Sequence, residues 1–200
     1  MKAYERFLNY VKVHTTSDNY ADTAPTTSCQ FDLARLLIKE MQNLGLHNVR
    51  ADEKCYVYGE IPATAGCEDK ASLGFIAHMD TTPDFCGKNI KPQIIDNYNG
   101  KDLPLGNSGR MLSTEYFPHL SDLKGRTLIT TDGTTLLGAD NKAGIAEILT
   151  ACEHILNGNK PHGRIAVAFT PDEEVGKGAD GFDVKGFGCD FAYTVDGGAF

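Results

Sequence analysis

The chain has 200 residues, with 27 acidic and 19 basic side chains and a net charge of −8. That balance lacks the basic face phosphate contacts need, which excludes nucleic acid as a main partner. No apolar run reaches the roughly 18 residues of a membrane span. The N-terminal Met1-Lys-Ala-Tyr-Glu-Arg-Phe carries no signal-type apolar stretch, so a cytoplasmic location is the default expectation. Six cysteines (29, 55, 67, 86, 152, 189) include no C-x-x-C pair and read as free thiols rather than a disulfide framework or a zinc ribbon.

Tyr4, Phe7, Leu8 and Val11 recur at helical spacing and predict a short amphipathic helix over 2–12. Residues 14–27 read as a loop. A second helix starts near Thr27 or Ser28, either of which suits an N-cap. It presents Leu33, Leu36, Leu37, Met41 and Leu44 and stops at Gly45. Strands follow near 47–52 and 54–61, then a buried strand over 72–78. Residues 82–125 contain four prolines and several glycines. A structureless loop of that length is unusual in a compact domain, so short strands are expected near 92–97 and 111–114. Thr127–Thr131 and Thr134–Leu137 flank Asp132-Gly133, a hairpin dipeptide. A strong helix runs from about 141 to 156, with Ile145, Ile148, Leu149, Cys152, Ile155 and Leu156 inward. Strands over 164–170 and 190–195 close the pattern. This order points to an α/β fold, a mixed and mostly parallel sheet with helices on its faces.

In such sheets the carboxyl ends of the strands line one crevice, where ligands bind. Four segments end there in acids or histidine: Ser72–Asp80, Leu136–Asp140, Ile165–Glu174 and Phe191–Asp196. A crevice gathering His78, Asp80, Asp140, Glu173, Glu174 and Asp196 is crowded with negative charge. Two carboxylates about 4 Å apart repel by roughly 4 kcal/mol at an effective dielectric near 20. A divalent cation relieves this, and one imidazole among oxygens suits zinc, manganese or cobalt better than magnesium or calcium.

Each segment also has a plainer reading. His78 and Asp80 share a strand side, so Asp80 can steady the imidazole of a metal-bound histidine; alternatively His78 is a half-buried turn residue. Asp140, in Gly138-Ala-Asp-Asn-Lys-Ala-Gly144, is either a helix N-cap or a carboxylate bridging two metals. A phosphate loop is ruled out, because Ala139-Asp140 replaces the Lys-[Ser/Thr] dipeptide. Asp172-Glu173-Glu174 is either a solvated acidic loop or a pair with divided roles. In the second case Glu174 holds metal while Glu173 takes a proton from metal-held water and shuttles it to the leaving amine. Asp196-Gly197-Gly198 is either an ordinary turn or a ligand beside backbone that passes close to metal.

Together, His-Met-Asp-Thr, Gly-Ala-Asp-Asn-Lys-Ala-Gly, Pro-Asp-Glu-Glu-Val-Gly and Val-Asp-Gly-Gly resemble the motifs of the co-catalytic di-zinc metallopeptidases, the family that includes aminoacylases and desuccinylases. The resemblance implies two Zn2+ ions per complete site. His78 and Asp196 would hold one, Glu174 the other, and Asp140 would bridge them. Asp80 and Glu173 would be the catalytic acids, Asp80 supporting His78 and Glu173 acting as general base. A cis peptide at Asp140–Asn141 is also implied. The implied activity is release of the N-terminal residue from tripeptides, a small peptide being the partner. A related N-acyl amino acid deacylase or dipeptidase, or a non-catalytic metal-binding piece, are the alternatives. The family takes a further histidine ligand and a lid domain from downstream, and no residue after Asp196 can supply that histidine. Residues 1–200 are therefore expected to be the N-terminal portion of a catalytic domain, without lid or C-terminal catalytic segment and with little peptidase activity alone.

Overall fold

The computed structural model describes residues 1–198; Ala199 and Phe200, the end of the expected catalytic portion, lie outside the described residues. Helix α1 (Ala3–Tyr10) and helix α2 (Gln30–Leu44) precede strands β1 (His47–Ala51), β2 (Val57–Ile61) and β3 (Leu73–His78). Short strands β4 (Gln93–Ile95), β5 (Leu103–Pro104), β6 (Met111–Leu112) and β7 (Leu128–Thr130) occupy the irregular middle. Helix α3 (Ala139–Leu156), strand β8 (Ile165–Thr170), the one-turn helix α4 (Val184–Phe187) and strand β9 (Phe191–Thr194) complete the chain.

The main sheet has the order β1-β2-β8-β3-β9. β2 is antiparallel to both neighbours, and β8, β3 and β9 are parallel, so β2 alone runs against the other four. β8 is buried at every position, as expected of a central strand covered on both faces. Alternation along β2 sorts the two sides. Val57 and Ile61 join the core under α1, α2 and α3, with Leu33, Leu37, Met41, Ile145, Leu149, Val167 and Phe169. Burying each such side chain contributes about 1.5–3 kcal/mol. Tyr58 faces the other way and packs with Tyr56, Ala166, Ala168, Phe182 and Phe187, a thinner aromatic layer beside α4. Among the described residues no helix is long and apolar enough to cross a membrane.

Several local expectations change. Along α1 and its C-cap, Phe7 and Val11 of the expected stripe are buried but Tyr4 is exposed, and Tyr10 and Arg6 are buried as well, Arg6 finding acidic partners on α2 and α3. α2 begins at Gln30 with no side-chain cap; the Thr27 hydroxyl donates instead to the Thr16 carbonyl at 2.7 Å. Its other end follows the sequence, with Gly45 left-handed at φ 91°. Strands do form within 92–97 and 111–114. The hairpin at Asp132-Gly133 does not form. Thr134 donates its N–H (2.9 Å) and hydroxyl (2.5 Å) back to Asp132 Oδ1, while Thr131 Oγ1 donates to the Thr135 carbonyl at 2.9 Å. These local bonds compete with a ladder, and β7 pairs with β4 through Ile94 and Ile129. All six cysteines are free thiols.

Candidate metal centre

Strand register brings the acids together. β3 and β8 pair in parallel with His78 opposite Thr170, so Asp80 and the 172–174 loop leave the sheet at the same edge. β9 lies along the other side of β3, Ile76 opposite Thr194. The Val195 N–H continues that ladder to the Ile76 carbonyl at 2.8 Å, which delivers Asp196 beside His78.

Asp140 arrives from the helix side. The Asp140–Asn141 peptide is cis, and both residues have non-helical dihedrals, so the regular part of α3 starts after them. Gly138, left-handed, occupies the N-cap position, and no side chain caps this helix. The Asp140 carboxylate is therefore not spent on capping and faces the imidazole instead. Asn141 donates from Nδ2 to the Val195 carbonyl at 2.7 Å, pinning the start of α3 to the end of β9. Gly144 makes that approach possible: a Cβ there would lie 2.4 Å from Asn141 Oδ1 and 2.6 Å from the Val195 carbonyl oxygen.

His78 is the centre of the group and only 2% exposed. Its Nδ1 lies 3.2 Å from Asp80 Oδ1 and 3.2 Å from the Asp80 carbonyl. With the Nδ1 proton directed there, Nε2 faces the other acids. Asp140 Oδ1 is 2.8 Å from Nε2, Glu173 Oε2 3.6 Å and Asp196 Oδ1 3.8 Å. Burial alone would lower the imidazole pKa, but Asp80, Asp140 and Asp196 outweigh it and push it up to about 9. The same crowding acts on Glu174: burial, then the charges of Asp140, Asp80 and Glu173, raise its carboxyl above the usual range, with His78 pulling the other way. Asp80 carries a second load, accepting the Glu173 N–H on Oδ1 (3.0 Å) and the Glu174 N–H on Oδ2 (3.1 Å).

Donor atoms of His78, Asp140 and Asp196 lie within 4.8 Å of one another, a spacing one cation can bridge. One imidazole nitrogen, two carboxylates and a surplus of negative charge are the donor chemistry of a divalent transition-metal site. Glu174 stands outside this three-residue group, and Glu173 Oε2 lies 3.6 Å from His78 Nε2. Sequence reasoning missed the supports. Lys142, fully buried, donates from Nζ to the Val13 carbonyl at 2.7 Å, and burial lowers its pKa to about 8. Asp172 is 2% exposed and bonded to Thr26 and Gln30. Asn141 and Lys142 stand inside a motif already singled out, so proximity in the chain was an available signal; the partners of Asp172 lie more than a hundred residues away.

The sheet order, the three helices on one face and the acids at the parallel edge make up a mixed α/β fold that solved peptidases share. Aminopeptidase PepT from Bacillus cereus superposes with a TM-score of 0.69 at 25% identity, over 99% of this chain and 43% of that one. A tripeptidase from Staphylococcus aureus shows the same fold, with a TM-score of 0.69 at 24% identity over 99% and 43% of the two chains. No protein-family model matches the chain. Its sequence kinship is nevertheless close and specific: the chain is a homologue of peptidase T. It is 56% identical to peptidase T of Halothermothrix orenii over 98% of this chain and 48% of that protein. Peptidase T of Caldanaerobacter subterraneus is 57% identical over the same shares. The chain thus spans about half the length of the curated relatives it matches.

Proposed function

We propose that this chain is the N-terminal portion, residues 1–200, of the catalytic domain of a zinc-dependent tripeptide aminopeptidase. The observation that supports it most is the meeting of His78, Asp140 and Asp196 at one sheet edge, in a chain more than half identical to peptidase T. In this reading His78 and Asp196 would hold one Zn2+, Glu174 would hold a second, and Asp140 would serve both. Zinc supplies Lewis acidity toward the scissile carbonyl and brings the pKa of water toward neutrality.

The chain's own residues do the rest. Asp80 keeps His78 in the tautomer whose Nε2 faces the cation. Glu173 accepts a proton from the attacking water on its carboxylate and delivers it to the departing amine nitrogen, a transfer contributing about 10²–10⁴ in rate. Its carboxylate lies 3.6 Å from His78 Nε2, the side of the imidazole that a cation would occupy in this reading.

Zn2+ titration by calorimetry tests the site. The chain is expected to bind Zn2+ and His78→Ala to lose that binding; affinity unchanged by His78→Ala overturns the reading. Expressed from its full reading frame, the protein should cleave tripeptides, and Glu173→Ala should lose about 10²–10⁴ in kcat while still binding Zn2+. Faster turnover of N-acyl amino acids or dipeptides would assign the site to a deacylase or dipeptidase instead.

A further inference from the structure

The acidic loop after β8 is held by a second carboxylate whose position in the chain suggests a different job. Asp172 sits at the N-cap position of the short 3-10 helix Glu173–Val175, yet its side chain does not cap it. The capping is done by Asp80, which receives the N–H groups of Glu173 and Glu174. The Asp172 carboxylate turns the opposite way, toward the start of α2. There it accepts the Thr26 N–H on Oδ2 at 2.8 Å, the Thr26 hydroxyl on Oδ1 at 2.5 Å and Gln30 Nε2 on Oδ1 at 2.6 Å. Gln30 is fully buried, and its Oε1 accepts the Asp172 N–H at 3.2 Å. One amide therefore grips both the side chain and the main chain of Asp172.

Asp172 adopts a left-handed conformation, φ 57°, which few residues other than glycine take. That conformation turns the chain so that Glu173 and Glu174 face the sheet edge while Asp172 faces α2. Lys177 closes the far side of the loop, its N–H on the Asp172 carbonyl (2.9 Å) and its Nζ on the Ala21 carbonyl (2.7 Å). Hydrogen bonds from Gln30 to Asp172, the chain from Asp172 through Glu174, and hydrogen bonds from its Glu173 and Glu174 N–H groups to Asp80 and on to His78 thus form one connected path.

We infer that Thr26, Gln30 and Asp172 form a clamp that positions the Glu173 and Glu174 carboxylates for metal and substrate. They are positioning residues, not catalytic ones. The inference deepens the proposed metallopeptidase reading and rests on it for the metal. A buried carboxylate met only by neutral donors is costly unless each donor stays in place, so loosening one releases the loop.

Two measurements on the chain separate this from a purely structural role. The first is amide hydrogen exchange of Glu173 and Glu174 in metal-free protein. The second is calorimetric titration with Zn2+ alone. Gln30→Leu is expected to speed exchange at both amides about tenfold. It should also weaken Zn2+ binding by about 10–100-fold, the usual effect of losing a support behind a ligand. Leu37→Ala, a core truncation in the same helix, should lower Tm and leave both readouts as in wild type. Should Gln30→Leu fail to fold, Thr26→Val removes one donor at constant shape and should move both readouts in the same direction. A Gln30→Leu or Thr26→Val protein that melts earlier, with exchange at 173–174 and Zn2+ affinity unchanged, overturns the inference. Wild-type protein that binds no Zn2+ refutes the metal reading instead, and exchange then decides whether the clamp orders the loop.

Discussion

Two clusters of charge are packed into this molecule, and they are built on opposite principles. At one, Arg6 is 1% exposed and lies between Glu40 at 2.7 Å and Glu153 at 2.8 Å. Its remaining donors reach the Met1 carbonyl (3.0 Å) and Thr150 Oγ1 (2.9 Å). The Met1 amino group and Arg6 pull the Glu153 carboxyl down to about 2. Here acids and bases answer one another and join α1 to α2 and α3. At the other, His78 is ringed by Asp80, Asp140, Glu173 and Asp196, and Glu174 is pushed up rather than down. The first cluster is complete in itself. The second has more negative charge than its one imidazole can answer, and that imbalance distinguishes a ligand site from a structural ion-pair network.

The contrast can be broken most severely at the balanced end. Arg6→Met leaves two acids facing a cation that is gone, and should cost about 3 kcal/mol, a fall of roughly 6–12 °C in Tm, without altering Zn2+ binding. A melt within a degree or two of wild type would show that the network is ornamental.

The next effect is one of pH. The His78 pKa is raised from its ordinary 6.5 to about 9 in the metal-free protein. A group raised on folding contributes stability that is fully present below the unfolded pKa and lost as pH climbs through the folded one. Metal-free protein should therefore melt progressively earlier between about pH 6.5 and 9. Saturating Zn2+ should flatten that slope, because a cation on Nε2 takes the place of the proton, and binding near pH 7.5 should release protons to the buffer. Thermal melts with and without Zn2+ across this range, with calorimetry in buffers of different ionisation enthalpy, check both statements.

A smaller effect sharpens the contrast in sign. Glu174→Gln removes charge from the crowded cluster and should raise the Tm of metal-free protein by roughly 1–3 °C, the shift made by up to about 1 kcal/mol in a chain of this size. The same substitution should weaken Zn2+ binding. Glu153→Gln, which removes an acid from the balanced cluster, should lower Tm. Equal signs for the two substitutions would erase the distinction drawn between the clusters.

Gly144→Ala tests the frame that holds the second cluster. Its Cβ would meet the Val195 carbonyl oxygen, which is backbone and cannot swing aside. A cost of about 1–3 kcal/mol in unfolding free energy is expected from denaturant titration.

Short-range pattern made much of this legible. The apolar runs that became β3, β8 and β9, the periodicity of α3 and the stop at Gly45 are set by neighbours within a few residues. The acids of the candidate site were legible for the same reason, since each closes such a run. The Asp132-Gly133 hairpin was misread because side-chain bonds from Thr131 and Thr134 satisfy the turn locally, and the partner of β7 lies more than thirty residues upstream. Nothing in the sequence marked Arg6 as buried, because helical spacing does not show that two acids on other helices await it.

What the chain of residues determined unaided was an inventory: which stretches extend, which coil, and that six acidic or imidazole side chains stand at strand and helix ends. Folding in three dimensions decided their distances from His78, turned Asp140 away from capping and toward the imidazole, and split the acidic triplet so that Asp172 braces α2 while its neighbours face the cleft. The reason is range. Helical periodicity and strand alternation are read from residues a few positions apart, whereas the charge balance of a buried site is summed over groups such as His78 and Asp140, 62 positions apart, that only the completed sheet brings within a few ångströms.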